Sequence, residues 1–310
     1  MVYIKKMLKV WTGKKIHGLP EVLAYSSTQV VEEVASAEEA DYLLIPHNWT
    51  HVRDNTAYLK QFEQIGKKSI VFWLGDGSEK VRWPNTIVFR TSGYKSDLAS
   101  NEIIMPTVVE DLGAKYNITT RAKGLTPSVG FVGWARQTGF AALKSTVKNA
   151  FKSGPRKKGL YLRQKAVDIL SHSSLIETNF ILRTGYKTGS QDEFVKNMKG
   201  SDFALAPKGD GNYSGRFYEA LSLGRLPLLI DTDCVLPLEN EIDYDKFVLR
   251  VPYTQMEELP ERISKFYNSL SDEGFRQAQV AAREAFQNYL NVTTYLGYVL
   301  RKVFLQKYER

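Results

Sequence analysis

Ser201-Asp-Phe-Ala-Leu-Ala-Pro-Lys-Gly-Asp-Gly-Asn-Tyr-Ser-Gly-Arg-Phe-Tyr-Glu-Ala-Leu-Ser-Leu-Gly-Arg-Leu-Pro-Leu-Leu-Ile230 holds a complete unit of an α/β fold. Asp202 to Ala206 and Leu226 to Ile230 are apolar runs of strand length, and Ser214 to Leu223 between them has helical periodicity. The order is strand, loop, helix, strand. Gly209 and Gly211 let a ligand approach the backbone of the loop from Pro207 to Tyr213. That loop delivers the chain to a helix with Ser214 at its N-cap and Gly215 just inside. A helix start offers N–H groups without intrahelical partners and the positive end of the helix dipole, which suits a diphosphate. Lys208 and Arg216 add positive charge at the same place, Arg216 with a fork that matches phosphate. Glu219, one turn further on nearly the same face, can accept two hydrogen bonds from a ribose diol. Ligands of open α/β sheets bind at the carboxyl ends of the strands, where this loop lies. Without a ligand, the same residues read as a generic crossover in which Arg216 and Glu219 form an intrahelical ion pair.

The alternation continues in both directions. Downstream of Pro127 it gives a strand at Ser128 to Gly133, helices near Gly139 to Phe151 and Leu160 to Ser171, and a strand at Asn179 to Arg183. A helix at Gln191 to Lys199 and a strand at Phe247 to Val251 follow, with helical pattern from Met256 to the end. Upstream, Asp41 to Pro46, Ser69 to Leu74, Thr86 to Arg90 and Glu102 to Met105 read as strands, and Asn55 to Gly66 as a helix that Gly66 ends. The periodicity fades from Pro106 to Pro127. The expectation is an α/β chain of two Rossmann-like domains, 1–122 and 123–290. Residues 291–310 form a last helix expected to pack back on the first domain.

Composition sets outer limits. Apolar residues make up 43% of the 310 residues and charged residues 25%, which fits an ordinary globular protein and neither a disordered nor a fibrous one. Cys234 is the single cysteine, so no intrachain disulfide and no multi-cysteine zinc site can form. Lysines interrupt every apolar stretch near the N-terminus and no membrane-length apolar run occurs, so the expected location is the cytoplasm. The formal net charge of +8 favours an anionic partner: phosphorylated substrates, nucleic acid or an acidic membrane surface. Nothing resembles a recognition helix, an RNA-binding aromatic motif or a zinc module, so nucleic acid is not expected as a partner. Lys152-Ser-Gly-Pro-Arg-Lys-Lys158 reads either as a solvated connector or as a patch for peripheral contact with the inner face of the membrane.

The chain resembles the exostosin-like enzymes of glycosyltransferase family 47, which have the GT-B architecture. The resemblance is carried by Ala206-Pro207, Ser214, Arg216, Glu219-Ala220, the turn Gly224 to Pro227, the strand Leu228 to Ile230, and Leu236-Pro237. It extends more weakly to Asp41 to Pro46, Phe72 to Gly77 and Leu162-Arg163-Gln164. It implies two Rossmann-like domains facing a central cleft, and transfer of a sugar with inversion from a nucleotide sugar held mainly by the C-terminal domain. The donor, UDP- or GDP-linked, would contact Lys208, Gly209, Ser214, Gly215, Arg216 and Glu219. Gly133, at the opening of the second domain, and Arg163 complete the expected donor site. The acceptor would be a glycan or a lipid-linked saccharide, in polysaccharide or lipopolysaccharide synthesis. The alternative is a non-catalytic subunit that keeps the fold and supports a partner transferase.

Inverting transfer needs a base for the acceptor hydroxyl and positive charge for the departing diphosphate. Arg216 fits the second requirement. For the base, Asp76 in Trp73-Leu-Gly-Asp-Gly-Ser78 and His47 in Pro46-His-Asn-Trp-Thr-His51 both follow strands of the first half. Asp76 also fits a plain turn, and His47 with His51 has the spacing of a metal-ligand pair lacking a third ligand. Asp231-Thr-Asp233 is a weak metal motif at a strand end. No metal and no further cofactor are expected.

Overall fold

The computed structural model describes residues 7–22, 30–135, 154–156, 158–184 and 191–302. The chain divides into two compact units: Met1–Thr107 with Asn288–Arg310, and Val108–Gln287.

The first unit is built on a six-stranded, wholly parallel sheet. Its strands are β1 (Leu8–Trp11), β2 (Val31–Glu33), β3 (Tyr42–Asn48), β4 (Ser69–Trp73), β5 (Thr86–Arg90) and β6 (Glu102–Ile104). They lie in the order β2-β1-β3-β4-β5-β6. β4 and β5 are buried along their whole length, as expected for strands covered on both faces. Helices α1 (Trp49–Val52) and α2 (Thr56–Glu63) follow β3. Asn55 caps α2 by accepting from the Tyr58 N–H, and Gly66 beyond its end has φ of +69°, a backbone that only glycine adopts easily. The core is markedly aromatic, with Trp49, Tyr58, Phe62 and Trp73 buried together and Trp11 and Trp83 at its edge.

The second unit has a five-stranded parallel sheet made of β7 (Ser128–Trp134), β8 (Glu177–Arg183), β9 (Phe203–Ala206), β10 (Leu226–Asp231) and β11 (Leu249–Pro252). The order is β11-β10-β9-β7-β8. Both sheets therefore place their second strand on one side of the first and their third on the other. In such doubly wound sheets the reversal opens a crevice at the carboxyl ends of the first and third strands, here β7 and β9. The helices are α3 (Leu112–Lys115), α4 (Gly159–Ser171), α5 (Gln191–Lys199), α6 (Gly215–Ser222), α7 (Leu259–Ser269) and α8 (Asp272–Ala285). Gly130 sits under α5, where any side chain would strike Ser201 and Asn197. Its role is helix packing rather than ligand approach.

Two sequence expectations need adjustment. The border between units falls at 107/108 rather than 122/123, because α3 is built into the core of the second unit. Leu112 packs with Val132, Phe194, Ala204 and Ala220, and Asp111 takes both Nη atoms of Arg283 at 2.5 and 2.9 Å. β3 runs through Pro46 to Asn48, with an irregular register against β4 between Leu44 and Asn48 that accommodates the missing proline N–H. β1 and β2 were not evident in the sequence. The expected helix at Gly139 to Phe151 lies outside the described residues. At the C-terminus α9 (Val292–Leu300) belongs to the first unit, and its Tyr295 donates to the carbonyl of Ile104 at 2.9 Å. No helix among the described residues is long and apolar enough to cross a membrane.

Candidate functional site

At the carboxyl end of β9 the chain leaves Ala206 and forms a loop closed by the Gly209 N–H donating to the Tyr213 carbonyl at 3.0 Å. Ser214 then starts α6 from an extended backbone, and its hydroxyl makes no capping hydrogen bond. The Phe217 N–H donates to the Ser214 carbonyl at 3.2 Å, whereas the Gly215 and Arg216 N–H groups before it have neither an intrahelical acceptor nor a side-chain cap. Added Cβ atoms at Gly209 and at Gly215 would meet nothing within 4 Å. The backbone is open to approach at these two points.

Arg216 and Glu219 lie one turn apart and are joined, Nη1 to Oε2 at 2.5 Å. The Arg216 guanidinium also lies over the Phe194 ring of α5, 4.3 Å from its centroid. Sequence reasoning missed Phe194, because only the packing of α5 beside α6 reveals it. The pair is half open: the two side chains keep 36% and 27% of their exposure. One Glu219 oxygen and the remaining Arg216 N–H donors are left for other partners.

Lys208 departs from expectation. It is buried, and its ammonium donates to the Pro155 carbonyl at 2.9 Å. Gly159, the first residue of α4, is pressed against the carbonyls of Lys208 and Gly209, so no side chain fits there. Lys208 thus fastens the loop after β9 to the turn before α4 instead of standing free at its mouth. Arg163, on α4, donates to the carbonyl of Trp134 at the end of β7 at 2.8 Å. Gly133 is the preceding residue of that strand. Arg163, Gly133 and the Lys208 loop therefore gather around the β7/β9 crevice.

Asp231 is engaged in its turn, accepting from the Cys234 N–H at 3.0 Å and pairing with Arg250 at 3.2 Å. Asp233 has φ of +62°. Burial pushes the Cys234 thiol up to about 12, so it stays neutral and unreactive at ordinary pH. Among the described residues no group of three His, Cys, Asp or Glu side chains is arranged to hold a metal ion.

In the first unit, His47 and Asp76 prove unlike. His47 is completely buried inside β3. Its Nε2 accepts the Ile16 N–H at 2.9 Å, which leaves Nδ1 to carry the proton and donate to the Pro20 carbonyl at 3.2 Å. With its lone pair taken by a backbone N–H, His47 is a structural histidine and has no means of accepting an acceptor's proton. Asp76 is exposed on the loop directly after β4. His51 is exposed at the end of α1.

Residues 145–266 match the exostosin GT47 domain. That segment carries a similarity to the glycosyltransferases of this family. The matched segment contains Arg163 and every residue of the β9–α6 site, from Lys208 to Glu219, whereas Asp76, His47 and Gly133 lie outside it. Each of the two units is, by itself, a doubly wound, Rossmann-like α/β sheet domain. No curated protein sequence matches this chain. Among solved structures, a glycosyltransferase from Rickettsia africae ESF-5 is 13% identical, over 90% of this chain and 84% of that one, with a TM-score of 0.43. Sucrose-phosphate synthase from Thermosynechococcus elongatus is 13% identical over 86% and 73%, with a TM-score of 0.41. A mutant TarM of S. aureus, in complex with UDP among other ligands, is 10% identical over 83% of this chain, TM-score 0.41. The chain spans 54% of that TarM and 56% of a second TarM structure. Likeness at this level carries no correspondence between individual residues.

Proposed function

We propose that the chain is an inverting transferase that moves a sugar from a UDP- or GDP-linked donor to a glycan or lipid-linked saccharide, in polysaccharide or lipopolysaccharide synthesis. The observation that carries this reading is the convergence, at the carboxyl end of β9, of an uncapped helix start, two open glycines and the half-open Arg216–Glu219 pair. The free oxygen of Glu219 receives the ribose hydroxyls, and Arg216 with the α6 N–H groups receives the diphosphate. Lys208 and Arg163 hold the loop and the β7 edge around it. Asp76 takes the proton of the acceptor hydroxyl as that oxygen bonds to the anomeric carbon. The carbon–oxygen bond to the diphosphate breaks at the same time, and the nucleoside diphosphate leaves with the electron pair.

Arginine and a helix dipole can balance the charge on that leaving group, so the reading includes transfer without a divalent cation or other cofactor. It also places the protein in the cytoplasm, with peripheral contact to an acidic inner membrane surface through the basic segment 152–158, which is only partly among the described residues. The test is nucleotide release from a panel of nucleotide sugars with acceptor fragments, with and without EDTA. Turnover that is lost in EDTA and restored by manganese would contradict metal independence.

A second reading has two observations behind it: Arg216 and Glu219 already pair with each other, and Lys208 is buried. A non-catalytic subunit supporting a partner transferase would keep these contacts and bind no donor. A thermal-shift screen with UDP and GDP separates the two, since a ligand that binds only the folded state raises its stability.

A further inference from the structure

We infer that Arg90, Thr91 and Ser92 are positioning residues that fix the loop carrying Asp76; this rests on the reading of Asp76 as the base. The loop after β4 is held residue by residue from the ends of its two neighbouring strands. Asn48, at the end of β3, donates to the Leu74 carbonyl at 2.8 Å and accepts the Leu74 N–H at 3.1 Å. The Thr91 hydroxyl accepts the Gly75 N–H and donates to the Gly75 carbonyl, both at 3.1 Å. Ser92 donates to the carbonyl of Asp76 itself at 3.2 Å. Arg90 closes the series, donating to Gly77 at 2.8 Å and Glu79 at 3.2 Å.

Arg90 is in turn immobilised. Its Nε donates to the Ser92 carbonyl at 2.5 Å, Nη1 meets Glu102 at 2.5 Å, and the guanidinium lies 4.8 Å from the centre of the Trp73 ring. Glu102 also accepts the Ala99 N–H at 3.1 Å. Even Gly77 is constrained, because a Cβ there would come within 2.5 Å of Trp73 and Glu79. An exposed turn ordinarily leaves its peptide groups to water. Here the backbone on both sides of an exposed aspartate is bound by buried side chains. A buried ion pair adds little net stability over an apolar pair, so its use at this place fits preorganisation. A backbone that cannot shift keeps the carboxylate's point of attachment in one place, and misplacement by about 1 Å costs on the order of 100-fold in rate.

The experiment compares Thr91→Val, Thr91→Ser, Ser92→Ala and Asp76→Asn by nucleotide release, calorimetric titration with UDP and GDP, and thermal melting. Thr91→Val should lower kcat about tenfold or more, with donor KM and nucleotide affinity within about twofold of the parent. Thr91→Ser, which keeps the hydroxyl, should restore kcat, and Ser92→Ala should show a smaller defect of the same kind. If Asp76→Asn is inactive while Thr91→Val and Ser92→Ala turn over at the parent rate, the positioning role is wrong and the base stands. If Asp76→Asn turns over normally, the base reading falls and the positioning role with it. A variant that loses nucleotide affinity and melting temperature together with kcat marks a merely structural role and also overturns the inference.

Discussion

Arg90–Glu102 and Arg216–Glu219 are the same chemical pair, each closed at 2.5 Å, in opposite surroundings. The first keeps 1% and 3% of its side-chain exposure, the second 36% and 27%. In the first pair every described contact is internal: carbonyls of the Asp76 loop and of Ser92, the Trp73 face, the Ala99 N–H. The second has one aromatic wall, Phe194, and otherwise opens toward an uncapped helix start. Burial, rather than residue type, separates a pair that builds the fold from one that can be shared with a substrate. A charge already removed from water cannot leave its partner without a large loss, whereas a half-solvated one exchanges partners at small cost.

Substitutions should widen that contrast. Glu102→Gln leaves the Arg90 charge buried and uncompensated, and should destabilise the first unit by about 3–5 kcal/mol in urea unfolding; a loss near zero would mean the pair is not the anchor described. Arg216→Ala should reduce turnover by roughly 10²- to 10³-fold, the usual effect of removing a group that stabilises growing negative charge. Its effect on donor affinity should be smaller, because charge on the diphosphate grows toward the transition state. Equal losses in binding and turnover would reassign Arg216 to ground-state binding. The smallest effect is expected in the stability of Arg216→Ala, a few tenths of a kcal/mol as for exposed helical ion pairs. A shift above about 2 kcal/mol would show that the two pairs are both structural.

The same contrast explains what could be read in the chain alone. α5 is read with its limits intact and α6 within a residue at each end, because amphipathic periodicity and turn residues are local. Arg216 and Glu219 are joined by helix geometry, three residues apart, so their contact is legible without a structure. β1 and β2 escaped: one alternates over only four residues and the other is a three-residue edge strand with two exposed glutamates. His47 and Lys208 were misjudged for a different reason. Their partners, Ile16 and Pro20 for one and Pro155 for the other, come from segments 27 to 53 residues away. A buried polar side chain is defined by what the fold brings to it, and no local pattern encodes that. Thr91 and Ser92 carried no signal either, since their task is to bind the backbone of another strand's loop.

The proposed function puts a nucleotide sugar at the start of α6, with its ribose on Glu219. Calorimetric titration of UDP and GDP into the parent protein and into Glu219→Gln, with melting curves of both, tests it most directly. One nucleotide should bind the parent, Glu219→Gln should weaken it by roughly 1 to 3 kcal/mol, as for hydrogen bonds to charged groups, and the melting curves should nearly coincide. Equal affinity of parent and variant for the bound nucleotide, or no binding of either nucleotide to the parent, would contradict it.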